Sequence, residues 1–173
     1  MILERPQSEE SGSRYLSLVP QQGDLANIFV EQGNRVESFI LGLSDEEAMH
    51  RYQPEKWSVK EVIGHLIDTE RVCAYRLLCA ARGDRTPMAS FDEDAYVKAA
   101  DYHHSALVNL AEEWKIARES TLSILKNLSA SALYNQGTFK DRPQTALTVA
   151  CVIVGHANHH LNILSERYGI DGR

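Results

Sequence analysis

Three histidines fall within five positions of an otherwise apolar run, VIVGHANHHLNIL, residues 152–164. Imidazole carries protons and is the commonest side-chain ligand for transition metals. Left unpaired in an apolar interior, a polar group costs roughly 1–3 kcal/mol, so His156, His159 and His160 need partners. Each helical residue turns about 100°; with His156 at zero, His160 lies near +40° and His159 near −60°. Val149, Ile153, Leu164, Ala150, Leu161 and Val154 spread from roughly +20° to +160°, with Val152 and Ile163 near His156 itself. His156 and His160 therefore sit within the apolar face. His159 sits on its margin, beside Thr148, Asn162 and Glu166. An i,i+4 pair projects two imidazoles one turn apart, as in helix-borne zinc sites.

A stable site needs a third protein ligand. His65, in EVIGHLIDTERV, shares an inward side with Val62, Thr69 and Val72. Three histidines leave one or more positions open to water or substrate, the pattern of catalytic sites. Such a donor set suits zinc or nickel, with iron and manganese as further candidates. The plainer alternative is a metal-free core in which the histidines bond their neighbours. His159 replaces His156 or His160 if the helical phase is off by one residue. A ligating imidazole also needs an orienting partner on its other nitrogen. Asp68, three residues after His65, and Glu61, one turn before it, are the candidates, each otherwise a solvated acid. Glu70 and Arg71 are candidates to pair across helices, the plainer alternative being an ordinary ion pair; Cys73 reads as core, and His50, His103 and His104 as surface residues.

Four helical segments must position these groups. The first spans about Gln21 to Leu43. The sequence LSDEE then sets Ser44 and Glu47 as a capping box for an extra turn. The second opens at WSVKEV, where Ser58 and Glu61 form another box, and stops at Gly83. The third covers about Asp101 to Leu128. The fourth runs from about Pro143 to Tyr168 and ends at Gly169. No stretch alternates at period two for long enough to predict a strand. The fold class is all-α, a four-helix bundle. The long connections 83–100 and 129–142 permit an up-down-down-up order. In the first of these, Phe91, Asp92 and Tyr96 are candidates for a pocket mouth.

The 173 residues are 43% hydrophobic and 24% charged, which suits one globular domain over residues 20–173 behind a polar, mobile tail at 1–19. A net charge of −6 without a basic stripe argues against nucleic acid as a partner. No apolar run approaches the roughly 20 residues of a membrane span. The first residues lack the apolar centre of a signal peptide, so the expected location is cytoplasmic. Three cysteines without paired spacing read as reduced, buried thiols.

The stretches WSVKEVIGHLIDTERVCAYRLLCAARGD, FDEDAYV and VGHANHHLNILSERYG, in this order, resemble the DinB-like (YfiT-like) superfamily. The resemblance covers about residues 20–169; GHLIDTER and GHxxHHLxxLxERY are its most specific parts. It implies a four-helix bundle holding a divalent metal on His65, His156 and His160. The acid that often follows the first histidine of the pair is replaced here by Ala157. The family implies metal-dependent hydrolases and transferases or isomerases, some using low-molecular-weight thiols. The expectation is a metal-dependent enzyme acting on a small molecule, with a thiol as the favoured co-substrate. The alternative is a non-catalytic, metal-stabilised module for dimerisation or ligand sensing. A homodimer is expected mostly from the resemblance, with Phe29 and Phe39 on the first helix marking a face whose exposed remnants could pair two bundles.

Overall fold

The computed structural model describes residues 5–6, 14–139 and 142–171. Helix α1, Leu25–Leu41, starts where the Asp24 carboxylate accepts from the Ala26 and Asn27 amides. The short α2, Asp45–Met49, and the long α3, Val59–Ala81, open on the two predicted capping boxes, Ser44/Glu47 and Ser58/Glu61. Helix α4, Glu93–Ala100, is capped by Asp92, and α5 spans Leu107–Lys126. Helix α6, Ala146–Tyr168, starts on the Thr145 cap and stops where Gly169 turns left-handed at φ 67°.

Contacts fix the directions. Glu37 meets Lys115 while the Phe29 carbonyl meets Arg118, so α1 and α5 run antiparallel. The Tyr168 hydroxyl donates to the Trp57 carbonyl at one end and Asn135 to the Ala81 carbonyl at the other, so α3 and α6 also run antiparallel. Tyr102 sits against Gly64, and Arg71 reaches Glu113, so α3 and α5 run parallel. The order is up-down-down-up, with 82–106 as a crossover that returns the chain to the other end.

Two predicted stretches differ. The third helix begins at Leu107, not Asp101, because Asp101 takes φ 49° and ends α4. A helix thus occupies part of the expected 83–100 loop. A small three-stranded sheet also forms. β1, Pro87–Met88, pairs parallel with β2, Gln136–Phe139, which pairs antiparallel with β3, Arg142–Thr145. Strands of two to four residues are too short to show a period of two. They are held by tertiary contact: a Cβ on Gly137 would lie 3.1 Å from the Ala80 Cα, and the Arg76 guanidinium covers the Phe139 ring at 4.0 Å.

The bundle interior has two apolar clusters. One gathers Phe29, Leu77, Leu122 and Val154; the other gathers Val36, Ile67, Trp114 and Leu161. Between them, at one level on each helix, lie Gln32, Glu70, Arg118 and Asn158, the first three buried and Asn158 half-buried. Phe29 and Phe39, expected to mark a pairing face, are buried in these clusters; Val30 and Leu41 are the exposed apolar residues of α1. Most of the expected tail at 1–19 lies outside the described residues. Its last part does not: Leu16 and Val19 are buried against α6, and Leu16–Leu18 form a 3-10 turn. Among the described residues no helix is long and apolar enough to cross a membrane. Cys73, Cys79 and Cys151 are buried free thiols.

Candidate metal centre

Helix α3 presents His65 in its second turn, and the middle of α6 presents His156 and His160 one turn apart. Antiparallel packing brings the three together. His65 Nε2 and His156 Nε2 are 3.1 Å apart, and one nitrogen from each of the three rings lies within 4.8 Å of the others. The ring centroids stand 5.0, 4.8 and 4.6 Å apart for the 65–156, 65–160 and 156–160 pairs. His65 and His156 are buried, and His160 is half-buried.

Burial dominates the electrostatics. It pulls the His65 pKa down to about 4, opposed by the Asp94 carboxylate. It pulls His156 down to about 3, helped by His65 and His159. His160 is lowered in the same way, by burial first and then by its two companions. All three rings are neutral near pH 7, each with a lone pair available, and a ligand imidazole must be neutral. Around an ion with bonds of about 2.0–2.1 Å, tetrahedral neighbours lie roughly 3.3 Å apart. The 3.1 Å pair is already at that spacing. Seating the third ring asks for a shift on the order of 1 Å, within reach of a side-chain rotation. The donor set fits a divalent transition metal.

His159 stays outside the cluster, half-buried, its ring 5.5 Å from that of Tyr15. Of the proposed orienting acids, Asp68 accepts the Tyr102 hydroxyl at 2.6 Å. Glu61 accepts the Ser58 amide and pairs with Arg51 at 2.8 Å. Both carboxylates thus have other partners, and no hydrogen bond from either to His65 is seen. Glu70 and Arg71 both pair across helices, as expected: Glu70 with Arg118 at 3.0 Å and Arg71 with Glu113 at 2.6 Å. His50 and His104 are exposed as expected, but His103 is half-buried between Ser58 and Arg51, at 3.2 Å from each.

Of the pocket-mouth candidates, Asp92 caps α4, and Phe91 packs on Tyr96 at 5.0 Å and lies under the Arg76 guanidinium of α3 at 5.9 Å. Of the neighbouring acids, Asp94 places its charge toward His65. Two walls were not legible in the sequence. The Trp57 ring lies 4.8 Å from His65, and the Tyr15 ring stands edge-on to His156 at 5.3 Å. Trp57 precedes the α3 cap by one residue, which was a usable signal; Tyr15 fell within the presumed tail. Gly155 is required by that second wall, because a Cβ there would sit 2.0 Å from the Tyr15 carbonyl oxygen. Likewise Gly64 leaves room for the Tyr102 ring, which a Cβ would meet at 2.2 Å.

A family model described as the DinB superfamily matches residues 28–164. A protein of Halalkalibacterium halodurans named "Putative metal-dependent hydrolase BH0277" is 24% identical over 129 residues, 74% of this chain and 75% of that one. "Putative metal-dependent hydrolase OB0782" of Oceanobacillus iheyensis is 23% identical over 150 residues, 80% and 86% of the two chains. The solved structure of YfiT from Bacillus subtilis, described as a probable metal-dependent hydrolase with an unusual four-helix bundle topology, superposes with a TM-score of 0.66. That match has 18% identity and covers 96% of this chain and 92% of the other, which establishes a shared fold.

Proposed function

The chain belongs to the DinB superfamily, and from that premise we propose that it is a divalent-metal enzyme acting on a small molecule, with His65, His156 and His160 as the ligands. The carrying observation is the convergence of three neutral imidazoles, two of them 3.1 Å apart, from helices 91 residues apart in sequence. Bundle packing alone does not favour this arrangement, since three polar rings crowded in a core give up hydration for few hydrogen bonds.

A bound divalent ion supplies Lewis acidity toward water, a carbonyl or a thiol. The protein supplies the rest. The imidazoles bind without releasing protons near pH 7, because burial already keeps them neutral. The Trp57 and Tyr15 rings wall two sides and limit water. Asp94 places negative charge toward His65. Hydrolysis is the favoured reaction, since it is the activity in the names of the two sequence relatives. Thiol transfer would need an external thiol: burial pushes Cys73 and Cys151 up to about 11, well away from the thiolate range.

Metal analysis of protein purified without a histidine tag tests the ligand set. One equivalent of zinc, nickel, iron or manganese is expected in the wild type and none in His160→Ala. A folded, metal-free wild type that takes up no ion on titration would remove the proposal. Activity screening with ester, amide and thiol-acceptor substrates then separates hydrolase from transferase. A bound ion with no turnover and no solvent path would favour the non-catalytic module. We take the protein as a homodimer, which sedimentation at micromolar concentration checks.

A further inference from the structure

Four polar residues that the metal site leaves unused, one on each long helix, join into one hydrogen-bonded chain across the bundle. Glu70 on α3 accepts from Arg118 Nη2 at 3.0 Å. Arg118 on α5 donates through Nη1 to Gln32 Oε1 at 2.9 Å. Gln32 on α1 donates through Nε2 to Asn158 Oδ1 at 2.7 Å and to the Val154 carbonyl at 2.8 Å. Asn158 on α6 donates through Nδ2 to the Leu18 carbonyl at 2.9 Å, on the segment that carries Tyr15. All four long helices and the N-terminal segment are thus tied at one level. The layer lies between two apolar clusters; because apolar burial is non-directional, its hydrogen bonds add a directional constraint on rotation and height to that packing.

Asn158 lies midway between His156 and His160 in sequence. On the helix it sits about 200° from His156, on the side away from the pair. A residue gripped from behind sets the direction in which the two imidazoles point. Its second bond seats the segment whose Tyr15 ring stands edge-on to His156. We propose that this chain, with Asn158 and Gln32 as its positioning residues, holds α6 at the rotation and height at which His156 and His160 meet His65. The inference rests on the metal-site reading above. Ligand sets tolerate errors of only about 0.5 Å and 10–20°, so a small loss of grip has a large effect on binding.

Titration of cobalt(II) into the full-length, untagged protein tests this, read by affinity and by the visible absorption of the bound ion. Asn158→Leu and Gln32→Met each remove a link on a different helix. Both are expected to weaken cobalt binding at least about tenfold and to change the absorption band, as loss of outer-shell partners does. Tyr15→Ala is expected to give a smaller loss, and Tyr15→Phe wild-type affinity. Leu125→Ala, buried but outside the chain, controls for lost stability and is expected to bind cobalt as the wild type does. Should one link variant fail to fold, the other decides. Folded Asn158→Leu or Gln32→Met with wild-type affinity and spectrum would overturn the inference and leave the metal site standing. A wild type that binds no cobalt would overturn the metal site and this inference with it.

Discussion

Removing one buried imidazole should remove a defined part of the protein's acid sensitivity. His65 and His156 are 2% and 7% exposed, with pKa values lowered to about 4 and about 3 from an ordinary 6.5. The folded values lie below the unfolded one, so the unfolded chain takes up protons first as pH falls. The stability in question is fully present above about pH 6.5 and drains away as pH falls toward the folded values. Between about pH 6.5 and pH 5 the unfolded imidazole gains a proton that the folded one does not. At 1.36 kcal/mol per pH unit this costs about 2 kcal/mol for each residue. Urea denaturation in the presence of a chelator, at about pH 7 and about pH 5, measures the difference. His65→Leu and His156→Leu should each show a fall between the two pH values smaller than the wild type's by about 2 kcal/mol. If either variant kept the full wild-type acid sensitivity, the reasoning that these rings are buried and neutral would be refuted. Repeating the series with saturating metal should raise wild-type stability at neutral pH, by about 4 kcal/mol at a thousandfold excess over Kd, and should leave both variants unmoved.

Gly155→Ala forces its Cβ onto the Tyr15 carbonyl oxygen, and it should cost about 1–3 kcal/mol and speed hydrogen exchange in Leu16–Val19. Arg118→Met leaves the Glu70 carboxylate buried and unpaired and should destabilise by about 3–5 kcal/mol. The double variant Glu70→Leu, Arg118→Met should lose less than the sum of the single changes in the same urea assay. Ser58→Ala removes the α3 cap and its contact with His103, so thermal unfolding should report a loss of about 1 kcal/mol.

Much of this architecture is local in origin. The capping boxes at Ser44 and Ser58, the stop at Gly169 and the inward phase of His65, His156 and His160 follow from side-chain chemistry and helical periodicity within a few turns. The sheet and α4 escaped because β2, which pairs with both other strands, is held by contact with Ala80 and Arg76, residues remote from it in sequence, and because turn formers hid the Asp92 cap. The partners of Asp68 and Glu61 escaped for a similar reason. Spacing from His65 put them near it along the chain, whereas Tyr102 and Arg51, arriving from other elements, claimed their carboxylates.

Local side-chain chemistry is enough to make the long amphipathic helices, to set two imidazoles on one face of the last, and to turn a third inward on an earlier one. That the third meets the other two, that Tyr15 and Trp57 wall the cluster, and that Gln32, Glu70, Arg118 and Asn158 join at one level depend on how the helices dock. Helical phase is set by neighbours three and four residues away. The antiparallel docking of α3 on α6 and the parallel docking of α3 on α5 are set by which apolar faces and buried polar groups satisfy one another across the whole molecule.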